Sequence, residues 1–330
     1  MTMTAVGDLA RSFVLQRQTG ALKTQIDRLS REMATGRLAD PAAKAGGDLV
    51  ALAAIEGSLG RLRGFRANAL ELGQMAATMQ AVLEQVSTRA TGLSATLLSQ
   101  AAAAQPGLGL ATQQAAESLD AVLAALNTRV ADRTVLAGNA VRGAAVVDGA
   151  ALVAALDPVI SGHDDAGAIA AAIEAWFDDP AGFRSTAYLG SAAGAGPFAI
   201  APGEVASRPL TAADPAVREV LNGLAIGAIA TRYDQATGRE LAVRAGTRLA
   251  AAMPALSEAS ARLGLVEGRL AMAETRNQAE HAALSLARAA FLEADPYAVA
   301  GELQGTQMQL ETVYAITARL SRLSLADYLR

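Results

Sequence analysis

LAAAMPALSEASARLGLVEGRL, residues 249–270, decides the fold. Its leucines stand at Leu249, Leu256, Leu263 and Leu270, and the spacing continues through Leu284 and Phe291 with Asn277 in the one gap. Three positions after each of these come Ala252, Ala259, Val266, Ala273 and Ala287, with Glu280 as the exception. A seven-residue apolar repeat kept over this length is a seam. The helix must supercoil on a partner to keep the stripe covered. The small residues of the second row predict close backbone approach, and Leu249, Leu256, Leu263, Leu270, Leu284 and Phe291 are read as a seam internal to the domain.

Working outward, the same pattern resumes near the carboxy end as Val299, Leu303, Thr306, Leu310, Val313, Thr317 and Leu320. The amino end carries Leu15, Leu22 and Leu29 at sevens, with Ile26 and Met33 offset. We read Leu15, Leu22, Ile26, Leu29, Met33, Val299, Leu303, Leu310, Val313 and Leu320 as seams that close on neighbouring subunits. In one chain these stripes have little partner surface, so the terminal helices are expected to be poorly ordered in a free monomer.

Helix punctuation divides the rest. Residues 1–38 read as one helix stopped near Thr35-Gly36-Arg37. Asp40-Pro41, Asp214-Pro215 and Asp295-Pro296 each look like a cap followed by a first-turn proline. Further helices are expected over 41–100, 111–131, 165–177 and 240–292, with a last one to about Leu323. Thr134–Asn139 reads as a short strand running into a turn. Between Tyr188 and Ala206 lie short apolar pieces, Phe198-Ala199-Ile200 and Val205. The expected fold is mainly α. Long amino- and carboxy-terminal helices form an antiparallel coiled coil or bundle, and a small α+β domain is inserted in the middle. The expected division is 1–40 inner helix, 41–139 first half of the helical domain, 140–213 insertion, 214–294 second half and 295–330 inner helix. Because the insertion lacks heptads and is rich in glycine, removing or swapping 145–205 is expected to leave assembly largely intact.

Composition narrows the function. Alanine supplies much of the apolar content and aromatics make up only 4% of residues, so helices should dominate. A net charge of −4, with signs interspersed, gives no basic face for nucleic acid. No apolar run approaches the roughly 20 residues of a membrane span. The absence of cysteine excludes thiol catalysis, disulfides and cysteine zinc sites. Met1–Ala10 lacks the charged and apolar regions of a secretory signal peptide, so another export route is expected if the protein leaves the cell.

No residue set supports an enzyme. His163, in Gly162-His163-Asp164-Asp165, has too few and badly spaced companions for zinc, and reads as a solvated loop. His281 lies on a polar stretch of the heptad helix. Gly190–Gly196 lacks the strand, helix and lysine of a phosphate-binding loop and reads as a flexible hairpin connection. No Gly-x-Ser-x-Gly elbow is present. Met75 and Met79 read as core. Asn277 at a seam position either sets register or oligomer state, or marks a frayed local break in the seam. No catalytic residue, metal or cofactor is expected.

With these features placed, the chain resembles the flagellin superfamily, and within it the hook-associated proteins of type 3 that join hook to filament. Leu29–Leu38 is similar to the end of that family's first helix. Asn127–Arg129 through Leu136–Asn139 resembles the segment closing on an Ala-Gly turn. Leu265–Leu270 and Glu302–Gln304 are similar to the terminal helices, and Leu320–Leu329 to the junction protein's tail. The likeness covers roughly 1–140 and 214–330. The resemblance implies a non-enzymatic structural protein of the bacterial flagellum, self-assembling into a ring or tube. The implied partners are hook-associated protein type 1, flagellin, an export chaperone and the flagellar type III apparatus. The implied location is extracellular, without a cleaved signal peptide. A divergent flagellin is the alternative within the family. A cytoplasmic coiled-coil adaptor is the alternative outside it.

Overall fold

Almost every stretch with helical periodicity is helix. The computed structural model describes residues 3–44, 49–103, 107–140, 142–191, 196–207 and 210–328. Helix α1 spans Met3–Thr35 and stops where Gly36 takes φ +63°, a left-handed conformation that glycine adopts without strain. A short helix α2, Pro41–Lys44, follows, with the Asp40 Oδ1 accepting from the Ala43 amide at 3.1 Å. Helix α3 is Val50–Ala102. The single helix expected over 41–100 is therefore not continuous: Leu49 is not helical, and 45–48, which hold Gly46-Gly47, lie outside the described residues.

Helix α4, Leu108–Leu126, ends short of the expected 131. Asn127 is the reason. Its Oδ1 accepts from the Ala145 and Val146 amides at 2.7 and 3.0 Å, and its Nδ2 donates to the Val146 carbonyl at 3.0 Å. The side chain engages a distant loop instead of extending the helix. Strands β1, Arg129–Val130, and β2, Arg133–Thr134, then form an antiparallel hairpin. Its two connecting residues, Ala131 and Asp132, both take positive φ, 47° and 61°. That twist suits a two-residue hairpin but penalises alanine by about 1–2 kcal/mol. Ala131→Gly relieves the strain and loosens the unfolded chain by about 0.4–1 kcal/mol. The expected net effect in urea unfolding is a gain of roughly 0.5 kcal/mol. A measured loss would show that the turn is not strained.

Helix α5, Gly149–Ile160, is capped by Asp148 and carries Pro158 in its last turn. Helix α6, Ala166–Asp178, is capped by Asp165 and agrees with the helix expected at 165–177. Helix α7 is Phe183–Thr186. Strands β3, Phe198–Ala201, and β4, Glu204–Ala206, pair antiparallel. Helix α8, Pro215–Ile229, starts on Asp214 as read. A 3-10 turn over Ala230–Arg232 leads to helix α9, Gln235–Leu292, and helix α10 is Pro296–Tyr328. Asp234 caps α9. Hydrogen bonds from the Thr237 and Ala236 amides and the Thr237 hydroxyl hold its carboxyl below the usual value. Its contribution is thus present above the unfolded-state pKa and fades as pH falls through the lowered folded one.

The chain divides into two units. One comprises 1–61 with 279–330, and the other 62–278. In the second unit, α3 and α9 run antiparallel. The Ser94 Oγ donates to the Gly246 carbonyl at 2.6 Å, Thr91 meets the Met253 sulfur at 3.4 Å, and Gln80 bonds Ser260. Met75, Met79, Val86, Leu93 and Leu97 of α3 share one core with Leu249, Leu256 and Leu263 of α9. That core also contains Leu119 and Leu123 of α4, Val220 and Leu224 of α8, Leu152 and Leu156 of α5, and Ile169, Ile173 and Phe177 of α6. The middle of the chain is thus part of the same hydrophobic core as the long helices. Gly223 and Gly227 of α8 make this packing possible: a Cβ on Gly223 would lie 2.8 Å from Leu249 Cγ, and one on Gly227 2.9 Å from Ala115 Cβ.

Candidate functional site

The terminal seams meet inside one chain. The hairpin between the ends of α1 and α9 is fixed by a bridge pairing Arg37 with Glu293, and by amide-to-carbonyl bonds from Leu38 to Leu292 at 2.9 Å and from Ala294 to Gly36 at 3.0 Å. Glu32 is buried there and accepts from the Ala39 amide at 2.9 Å, with Arg28 at 3.6 Å. Beyond this corner α1 and α10 lie side by side. Leu29, Ala294 and Val299 form a small core, with Leu38 and Leu303 packed against it. Farther along, the Lys23 ammonium lies 6.0 Å from the centre of the Tyr314 ring, so the two helices run antiparallel.

Of the residues read as terminal seams, Leu22, Leu29, Val299 and Val313 are buried, Leu15, Ile26, Leu303 and Leu310 half-buried, and Met33 exposed. The Leu320 side chain lies outside the described residues. Within one chain the stripes have partner surface that covers them in part, four side chains buried and four half-buried. Each terminal helix supplies that surface to the other, a pairing that a single helix's periodicity does not reveal.

Of the residues read as the domain seam, Leu249, Leu256, Leu263 and Leu270 are buried, while Leu284 and Phe291 are half-buried. Asn277 is 5% exposed and donates to the Ile200 carbonyl at 2.7 Å. It is a satisfied buried amide and not a break in the helix, since α9 continues through it.

What the sequence reading missed lies on the other side of α9. Leu265, Met272 and Leu286 are 71%, 66% and 73% exposed and sit on a second seven-residue spacing opposite the seam. Gly264 and Gly268 beside them have nothing within 4 Å of where a Cβ would stand, so the helix backbone is open on that face. On α10, Tyr297 is 89% exposed, and Met308 and Ile316 are exposed as well. On α1, Phe13 and Val14 are exposed. A signal for the α9 stripe was available: two apolar rows at heptad spacing on one helix.

His163 is exposed, and His281 meets only the Ser285 hydroxyl at 3.4 Å. Among the described residues no group of three or more metal-ligating side chains gathers, and no helix is long and apolar enough to cross a membrane. Tyr233 has its phenol pushed up chiefly by burial, with the Asp164 carboxylate adding to the effect. Residues 192–195 of the glycine-rich connection lie outside the described residues.

Comparison with known proteins fits this picture. Residues 247–329 match the bacterial flagellin C-terminal helical region. The similarity is to that region alone, and it lies on α9 and α10. A solved structure from Vibrio parahaemolyticus, assigned as a flagellar hook-associated protein, aligns over 77% of this chain and 96% of its own, at 13% identity and a TM-score of 0.44. No curated protein matches the chain.

Proposed function

We propose that the chain is a non-enzymatic structural subunit of the bacterial flagellar axis and that it joins hook to filament. The observation that carries this reading is that residues 247–329, which match the flagellin carboxy-terminal helices, bear the exposed apolar stripe of α9 and the exposed side chains of α10. The seams turned inward hold each subunit together, and the outward stripes are left for other copies. Packing one face of a subunit against a different face of the next generates rings or open helical tubes. The similarity of Leu320–Leu329 to the junction protein's tail favours the junction over the filament body. On this reading the neighbours are hook-associated protein type 1 and flagellin. An export chaperone and the flagellar type III apparatus carry the chain outward.

A strain lacking the chain is expected to make hooks without filaments and to shed flagellin into the medium. Filaments of normal length would refute the junction role. If the chain instead forms the bulk of sheared filaments, it is a flagellin.

The stripe gives a second test. Leu265→Asp combined with Met272→Asp should change monomer stability by no more than about 0.5 kcal/mol per site, because both side chains are exposed. Sedimentable assembly should be lost, since two unpaired charges would be buried at the contact. Assembly at the parental level would show that α9's outer face is not an interface.

A further inference from the structure

The hairpin of β3 and β4 lies on α3 and α9 and builds a small core of its own. Ile200, Ala201 and Ala206 are buried with Ala69 and Leu72 of α3 and Leu270 and Ala273 of α9. The two helices grip it with one asparagine each. Asn68 of α3 donates its Nδ2 to the Ala199 carbonyl at 2.9 Å, and Asn277 of α9 donates to the next carbonyl, Ile200, at 2.7 Å. Also from α9, Arg269 donates to the Val205 carbonyl at 3.0 Å, and Arg276 pairs with Glu204.

Neighbouring carbonyls of a strand point to opposite sides, so β3 can offer one to each helix. The ladder also frees the second of them. Pairing runs Ala199 with Val205 and Ala201 with Glu204, and the register shifts between Ala199 and Ala201, at Ile200. Such an irregularity leaves a residue out of the strand pairing. Its carbonyl is then available to a side chain.

The seam of α9 does not define a unique pairing by itself. Leu249, Leu256, Leu263 and Leu270 repeat at identical intervals, so sliding α9 by one heptad, about 10 Å, sets leucine where leucine was. The buried polar residue of the row is Asn277, and its partner changes with the slide. Slid either way, Leu270 or Leu284 faces Ile200, and a buried carbonyl loses its donor.

We propose that the β3–β4 hairpin is a register lock for the α3–α9 pair, read by Asn68 and Asn277. Both amides are satisfied only when they flank the same dipeptide, Ala199-Ile200, and that condition selects one alignment of the two helices. The two asparagines are positioning residues. They act through the hairpin and not by touching each other. The inference stands independently of the flagellar reading.

The chain has no cysteine, so an engineered pair reports register without background. In the full chain, Ala69→Cys with Ala273→Cys places thiols on the two helices within the hairpin's core. Oxidative cross-linking is expected to be nearly complete with both asparagines present. Adding Asn277→Leu with Asn68→Leu, which completes the leucine repeat, is expected to lower the yield at least fivefold while the helical circular-dichroism signal holds. Asn277→Gln, which keeps a donor, should recover most of the yield. Cross-linking within twofold of the parent in the leucine variant would overturn the proposal, because the seam would then set register unaided. Loss of the helical signal would overturn it too, because a reader of register is not needed for helices to form.

Discussion

Replacing residues 145–205 with a short Gly/Ser linker is expected to yield an insoluble or molten chain. Sequence pattern alone predicted the opposite, an assembly-competent protein. The segment supplies Leu152, Leu156, Ile169, Ile173, Phe177 and Phe183, all buried in the core that also holds α3, α4, α8 and α9. Each such side chain contributes about 1.5–3 kcal/mol by burial. Losing all six removes roughly 9–18 kcal/mol, as much as the whole 5–15 kcal/mol or so by which a domain is stable. Backbone pairing goes as well. The Leu189 amide donates to Ala145 at 2.9 Å and the Ser191 amide to Ala137 at 2.9 Å, and Asn127 loses the Val146 partners that end α4. Soluble yield and a thermal melt followed at 222 nm check this. A cooperative transition within about 5 °C of the parent, which for a domain this size is about 1–2 kcal/mol, would show that the middle segment is dispensable after all.

The point substitution with the largest expected effect is Gly182→Ala. Gly182 sits between α6 and α7, where its amide donates to the Asp179 carbonyl at 3.0 Å and its own carbonyl accepts from Ser185 and Thr186. A Cβ there would stand 1.9 Å from the Trp176 carbonyl oxygen. That is a backbone atom of a helix and cannot swing aside. Accommodation has to move α6 against the corner in which the Trp176 and Phe177 rings meet edge-on at 5.1 Å and Phe183 stacks on Phe177 at 5.3 Å. A loss of about 3 kcal/mol or more in urea unfolding is expected, the scale of the larger core disruptions. An effect below about 1 kcal/mol would mean that the corner yields easily. An ordinary glycine-to-alanine change inside a helix would stabilise instead, so the sign alone tests the packing argument.

These two cases mark where sequence reading succeeded and where it stopped. The long helices were legible because their periodicity is local: Leu249 to Leu270 announces a seam with no knowledge of the partner. The Asp-Pro starts at Asp214 and Asp295 were legible for the same reason, since a cap acts on its own first turn. Partners were not. Leu29 and Val299 face each other across most of the chain, and nothing in either stripe names the other. Helix α5 escaped notice because its cap, Asp148, stands in a glycine-rich stretch and Pro158 lies within it. The contribution of 145–205 to the core was not legible because scattered single apolar residues become a core face only once α6 and α8 pack together. Asn277 was visible as an anomaly in the seam, but its acceptor, Ile200, lies 77 positions away in the chain. The outward row on α9 was overlooked because the inner leucine row already explained the helix.

The antiparallel pairing of α1 with α10 also has a consequence in time. α1 leaves the ribosome well before α10. Between them roughly 260 residues must be synthesised, on the order of 10–50 s at typical elongation rates. Throughout that interval Leu22 and Leu29 have no mate, and a lone helix of this kind is barely stable in water. The newborn chain therefore carries α1 uncommitted throughout that interval, and the first unit closes only after α10 has emerged, whatever the speed of the steps before it.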